Sequence, residues 1–145
     1  FDENQKKFND LDQASESLKA IKDFIDTEKE KLHLDQIDVM GFSQGCILSL
    51  ALALSHPGFF KRVVGLSGYL NLEMLENAEN IGKQNTAFFL SHGIEDAMIP
   101  FAWAIETREL LLKYGLNVEW HEYPTGHTVS YDNFKDLITF LSVNV

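Results

Sequence analysis

The stretch Asp38–Pro57, DVMGFSQGCILSLALALSHP, joins a short apolar segment to a longer one through a serine between two glycines. The first segment, residues 36–42, predicts a buried strand, because continuous apolar runs are typical of strands covered on both faces. The second is apolar almost all round and predicts a buried helix that ends at residues 56–58. The pattern G-x-S-x-G, residues 41–45, therefore stands at a sharp turn from strand to helix.

A turn this sharp predicts a strained backbone at Ser43, which lifts its hydroxyl clear of the sheet. We expect glycine at positions 41 and 45 because a side chain at either one would clash with the neighbouring chain. The backbone amide of Gln44, at the helix N-terminus, would point at the oxygen of a carbonyl group that Ser43 attacks. The alternative interpretation is a turn in which glycine and serine have no chemical role.

Helices and strands alternate along the rest of the chain. The predicted helices cover about residues 11–31, 43–55, 101–115 and 129–143, and the predicted strands cover 36–42, 61–68, 86–93 and 117–124. The last strand alternates more in polarity, which favours a sheet edge. Residues 69–85 are irregular, with room for a short helix. This order predicts a three-layer αβα sandwich with a mostly parallel sheet, built as a single domain over residues 1–145.

Composition excludes several classes of function. The 145 residues carry a net charge of −10, which argues against nucleic acid and anionic membrane surfaces as partners. The longest apolar run, residues 46–54, is too short to span a membrane. Cys46 is the one cysteine, so no intrachain disulfide can form, and a cytoplasmic location is expected. No metal-ligand spacing and no dinucleotide fingerprint is present, so we expect neither a metal nor a cofactor.

A nucleophilic serine needs a base, and the base needs an orienting carboxylate. For this motif the chain order is serine, acid, histidine. His127 lies in YPTGHTVS, a loop after the last strand at the same sheet edge as Ser43, and is the predicted base. Asp96 in LSHGIEDAMIP, after the third strand, is the predicted acid in preference to Glu95. We interpret His92 as bracing that loop. The remaining histidines are interpreted as solvated or structural: His33, His56 and His121.

Taken in this order, GFSQG, SHGIEDAMIP and YPTGHTVS resemble the phospholipase/carboxylesterase family of the α/β-hydrolase superfamily, which includes the acyl-protein thioesterases. The resemblance extends from about Asp35 to the C-terminus. It implies that Ser43 is the nucleophile, Asp96 the acid and His127 the base of an ester or thioester hydrolase that needs no cofactor. The sequence departs from the family at Cys46, where the family often has a second glycine.

The dipeptide Phe1-Asp2 resembles the tail of the family's WFD loop. The resemblance therefore implies that further strands precede Phe1 and carry the second oxyanion donor, so that this chain has an α/β-hydrolase fold lacking its N-terminal strands. The sheet would then have an uncovered edge, which invites pairing. A homodimer is one assembly compatible with such an edge.

Two groups of apolar residues follow the second strand and the acid loop. From these groups the candidates for substrate binding are Tyr69, Leu70, Met98 and Ile99. They could line a slot for a short or medium acyl chain, or they could pack under the neighbouring elements. The predicted function is a serine hydrolase that cleaves esters or thioesters through an acyl-enzyme. The alternatives are a non-catalytic ligand-binding protein, a peptidase and a lactone hydrolase on the same fold.

Overall fold

The computed structural model of the protein describes residues 11–76 and 79–143, so the predictions for Phe1-Asp2 lie outside the described residues. Its helices are α1 (Leu11–Leu32), α2 (Gln44–Ser55), α3 (Phe101–Lys113) and α4 (Tyr131–Val143). Its strands are β1 (Ile37–Phe42), β2 (Phe60–Leu66), β3 (Ala87–Gly93) and β4 (Asn117–Tyr123). A short 3₁₀ helix at Leu72–Met74 lies in the irregular segment after β2. The predicted helices and strands are therefore all found, to within a few residues.

The strands form one parallel sheet in chain order, β1-β2-β3-β4. In register, Met40 lies beside Val64, and Val64 lies beside Phe89. Because all strands run in the same direction, the loops after β1, β3 and β4 start from the carboxyl-terminal ends of the strands, at one edge of the sheet. Among residues 11–76 and 79–143, β4 pairs with β3 alone, as predicted for an edge strand.

Alternate strand residues pack into two separate cores. Val63 and Phe88 belong to the larger core, which they share with side chains of α1, α2 and α3. Val64 and Phe89 point to the opposite face, where Leu137 and other α4 side chains cover them. Helices therefore lie on both faces of the sheet, and the predicted three-layer arrangement is confirmed.

The helix α2 is apolar on all sides because it is covered on all sides. Its inner face packs on β1 and β2, and α1 contributes Ala14 and Leu18 to the same core. Leu50 and Leu54 are fully buried as a result. This burial fixes the start of α2, and with it the position of Ser43.

The sheet face covered by α4 stays open over β1. Met40 is 60% exposed and Phe42 is 43% exposed, since α4 covers the neighbouring strands instead. Arg62 donates to Asp38 on β1 and to the carbonyl oxygen of Leu141 in α4, which ties this edge to the helix. Within the described part of the chain, β1 pairs with β2 alone.

None of the helices within residues 11–76 and 79–143 combines the length and the apolar character that crossing a membrane requires.

Candidate active site

Ser43 occupies the turn between the last residue of β1 and the first residue of α2. Its backbone lies at φ 56° and ψ −116°, a region that residues other than glycine rarely adopt. The Ser43 N–H donates to the carbonyl oxygen of Leu66 at 2.8 Å, which pins the turn to the end of β2. The predicted strain at Ser43 is confirmed, and it is held by the neighbouring strand.

The two glycines of the turn have different roles. A Cβ added to Gly41 would lie 2.2 Å from the carbonyl oxygen of Gly45, so a side chain at position 41 would collide with the first turn of α2. A Cβ added to Gly45 would meet no atom of the described residues within 4 Å. The expected clash is therefore confirmed for Gly41 and wrong for Gly45. A side chain at position 41 would point at the Gly45 backbone, whereas a side chain at position 45 would point into open space.

The first turn of α2 places a backbone amide directly after the serine. Gln44 is the first helical residue, so its backbone N–H has no partner within the helix. The helix dipole adds partial positive charge at this end. A carbonyl oxygen on a carbon bonded to Ser43 Oγ could accept a hydrogen bond from this amide.

Cys46 lies about one helical turn after Ser43, and its thiol is unreactive. Its side chain packs against the backbone of Gly68, where an added Cβ would lie only 2.6 Å from Sγ. Cys46 is 1% exposed as a result. Burial raises the pKa of the Cys46 thiol to about 12. The sulfur therefore stays protonated at neutral pH and offers no second nucleophile.

His127 connects the serine to a carboxylate. Its Nε2 lies 2.9 Å from Ser43 Oγ, and its Nδ1 lies 2.7 Å from Asp96 Oδ2. A carboxylate oxygen accepts, so Nδ1 carries the proton and Nε2 is free to accept the serine hydroxyl proton. The Phe42 ring lies 4.9 Å from the imidazole, centroid to centroid, and shields one side of it. The imidazole is thus fixed on both nitrogens and stays 18% exposed.

Asp96 is a buried carboxylate with every oxygen occupied. Its Oδ1 accepts from the backbone amides of Met98 at 2.8 Å and Ile99 at 2.9 Å, and Oδ2 accepts from His127. These donors compensate for the burial of the charge. The neighbouring carboxylate of Glu95 is exposed to solvent, so the structure brings Asp96, and not Glu95, to the histidine.

The acid loop and the histidine loop lie against each other. A Cβ on Gly93 would lie 2.3 Å from the carbonyl oxygens of both Thr125 and Gly126, so the approach requires glycine there. Ile94 N–H donates to Tyr123 O at 2.9 Å, and Glu95 N–H donates to Thr125 O at 3.0 Å. Sequence reasoning missed this need for Gly93, because it arises only when two distant loops meet.

The four candidate substrate residues lie in different environments. Tyr69 is fully buried with its ring 5.0 Å from that of Trp103, and Ile99 is fully buried beneath the acid loop. Leu70 is 5% exposed and lines a cavity of about 260 Å³ together with side chains of α3. Met98 is 59% exposed. The structure therefore does not bring these four residues together in one slot.

The other histidines lie away from Ser43. His56 ends α2, and His121 on β4 contacts Glu119 at 2.8 Å. His92 is buried behind the acid loop, with Nε2 2.9 Å from the carbonyl oxygen of Ile99. In the described part of the chain, no group of three or more histidine, cysteine, aspartate or glutamate side chains is placed to hold a metal ion.

Comparison with known proteins gives one consistent family. The sequence model of the phospholipase/carboxylesterase family matches residues 1–145. The chain is 33% identical over 116 residues to acyl-protein thioesterase 1 of Yarrowia lipolytica, covering 77% of this chain and 51% of that protein. It is 31% identical over 143 residues to acyl-protein thioesterase 1 of Debaryomyces hansenii, covering 95% and 62%. The chain thus spans between half and two thirds of the length of these two relatives.

Solved structures share the fold. The Bacillus cereus carboxylesterase superposes with a TM-score of 0.81 at 18% identity, covering 94% of this chain and 64% of that one. The Zea mays acyl-protein thioesterase 2 superposes with a TM-score of 0.75 at 18% identity, covering 96% and 69%. At these identities the likeness concerns the fold alone.

Proposed function

The chain belongs to the phospholipase/carboxylesterase family, and on that premise we propose that the protein is a serine hydrolase that cleaves carboxylic esters or thioesters. The observation that carries the proposal is the unbroken hydrogen-bonded path from Ser43 through His127 to Asp96, with contacts of 2.9 Å and 2.7 Å. The three side chains come from three separate loops at one sheet edge. Such an arrangement activates a hydroxyl that is otherwise a weak nucleophile.

In the proposed reaction Ser43 Oγ attacks the acyl carbon while its proton passes to Nε2 of His127. Asp96 accepts from Nδ1–H throughout and stabilises the positive charge on the imidazole. The imidazolium then gives its proton to the departing alcohol or thiol as the bond between it and the acyl carbon breaks. Water attacks the acyl-enzyme with His127 again as the base, and release of the acid restores Ser43.

The oxyanion of each tetrahedral intermediate is proposed to accept from the Gln44 backbone amide. The position next to the nucleophile and the first-turn location of this amide support the role.

We propose that the acyl group is short or medium in length. The loop after β2 passes close to the backbone of Ser43, since a Cβ on Gly68 would lie 3.0 Å from the carbonyl oxygen of Ser43. That loop continues into Tyr69 and Leu70, and Leu70 lines the cavity of about 260 Å³. The rest of the lining of this cavity comes from residues 71–73 and from α3. The exposed Met98 is proposed to contact the acyl chain from the acid loop, with Ile99 supporting it from below.

Rapid-mixing kinetics with p-nitrophenyl esters test the proposal. We expect a burst of p-nitrophenol of about one equivalent per protein, because p-nitrophenol leaves in the acylation step and a slower deacylation step follows. We expect kcat/KM to be highest for butyrate or octanoate and at least about tenfold lower for palmitate, as the proposed short or medium acyl length requires. Thioesters of the same acyl groups should be hydrolysed as well.

Three outcomes would contradict this proposal. Saturable binding of the ester without turnover would indicate a non-catalytic ligand-binding protein. A peptide anilide or a lactone cleaved faster than every ester would indicate a peptidase or a lactone hydrolase. The highest kcat/KM on palmitate would contradict the proposed acyl length.

A cytoplasmic location is proposed from the single cysteine, which is free and buried. The homodimer stays a prediction.

A further inference from the structure

His92 lies behind the acid loop and is removed from solvent. It is the next-to-last residue of β3 and is 1% exposed. Its ring lies 6.1 Å from the ring of Phe101, which begins α3. Packing alone would suit a phenylalanine at this position, so a buried imidazole needs another explanation.

The hydrogen-bond partners of His92 fix the position of its proton. Its Nε2 lies 2.9 Å from the carbonyl oxygen of Ile99, which can only accept, so Nε2 carries the proton. Its Nδ1 is buried and has no hydrogen-bond partner among the described residues. Burial lowers the pKa of the His92 imidazole below its usual range. The ring is therefore a neutral donor whose single N–H points into the acid loop.

The imidazole of His92 also lies close to the carboxylate of Asp96. His92 Nε2 lies 3.3 Å from Asp96 Oδ2, the oxygen that accepts from His127 Nδ1 at 2.7 Å. On the other side, the Ile99 residue that accepts from His92 through its carbonyl donates to Asp96 Oδ1 through its amide at 2.9 Å. His92 therefore lies beside one carboxylate oxygen and is linked to the other by hydrogen bonds through Ile99.

We propose that His92 is a positioning residue that orients the Asp96 carboxylate toward His127. The role rests on the proposed hydrolase function. By holding Ile99 and contacting Oδ2, the buried N–H keeps the carboxylate plane in line with Nδ1 of His127. His92 touches no reacting atom, so it is not a catalytic residue. The hydrogen bond of His92 to Ile99 and its 3.3 Å approach to Asp96 both lead to the acid loop.

Three substitutions separate orientation from packing. His92→Phe keeps a ring but removes the donor, and His92→Asn places its donor at the position of Nδ1, away from the loop. His92→Gln places an amide N–H near the position of Nε2. With p-nitrophenyl butyrate, we expect the Phe and Asn variants to lose about 10- to 100-fold in kcat with KM within about twofold of wild type. We expect the Gln variant to stay within about threefold of wild type.

A double-substitution cycle tests whether His92 acts through Asp96. If it does, His92→Phe should change kcat by less than about twofold when Asp96 is already alanine. An equal loss in both backgrounds would overturn the assignment. Should the Phe variants lack a cooperative thermal transition, the comparison of His92→Gln with His92→Asn decides, and equal kcat values for those two would overturn it.

The control is the wild-type full protein in the same assay. Active wild type together with an equally active, folded His92→Phe would overturn the positioning role alone. Wild type without hydrolysis would overturn the proposed function, and the positioning role with it.

Discussion

Replacing Ser43 by alanine is expected to lower kcat for p-nitrophenyl butyrate by about 10⁶-fold, the size of loss seen when a serine hydrolase loses its nucleophile. Without Oγ no acyl-enzyme bond can form, and the imidazole of His127 keeps no hydroxyl to deprotonate. The residual rate should come only from binding and from the Gln44 amide. Initial rates at matched protein concentration, with the thermal transition recorded for each variant, measure the effect.

The matched control is Ser49→Ala. Ser49 lies in α2, the helix that begins directly after Ser43, and is buried at 7% exposure. The structure gives no hydrogen bond between Ser49 and His127 within the described residues. We expect its kcat to stay within about twofold of wild type, as for a substitution outside the reacting groups. A Ser43→Ala variant that kept more than about 1% of the wild-type rate would place the nucleophile elsewhere.

Asp96→Asn is expected to lower kcat by about 10⁴-fold, by stabilising the wrong histidine tautomer. Oδ1 of Asp96 already accepts from the amides of Met98 and Ile99, so the carboxamide oxygen should remain there. The new NH₂ group would then face His127 and donate to Nδ1. That contact leaves the proton on Nε2, which can no longer accept from Ser43. Steady-state rates of ester hydrolysis measure the loss.

Glu95→Gln is the matched control for the acid. Glu95 directly precedes Asp96, and its carboxylate is exposed, so we expect kcat within about twofold of wild type. If Glu95→Gln were slower than Asp96→Asn, the carboxylate that orients His127 would be Glu95. That result would contradict the contact of Asp96 with His127.

The sequence predicts the fold well because its strongest signals are local. The 3.6-residue apolar period of α1 and the continuous apolar strands depend only on neighbours along the chain. Ser43 and its strained backbone follow from the same local pattern, a strand, a glycine and a helix within about ten residues. The loops bearing Asp96 and His127 come to the same sheet edge because parallel strands carry their carboxyl ends there.

What the sequence does not predict depends on contacts between distant segments. Tyr69 follows β2, and Met98 and Ile99 follow Asp96. Nothing in their spacing along the sequence indicates that Tyr69 and Ile99 are buried while Met98 is exposed. The requirement for Gly93 arises from Thr125 and Gly126, more than thirty positions away. The different steric roles of the two elbow glycines likewise depend on the exact path of the helix over the strand.

One contact of His92 could be predicted from the sequence and another could not. Its bracing of the loop was predictable from a histidine beside a turn, and the contact with Ile99 O confirms it. Its approach to Asp96 Oδ2 depends on how the loop folds back after Gly93, which no local pattern specifies.

The most direct measurement is labelling of the full protein with a fluorophosphonate probe, followed by mass spectrometry of the modified peptide. A probe of this kind forms a covalent bond only with a hydroxyl that a neighbouring base activates. We predict one label on the wild type, attached to Ser43, and none on Ser43→Ala. An unlabelled wild type, or a label that persists at another residue in Ser43→Ala, would contradict the account.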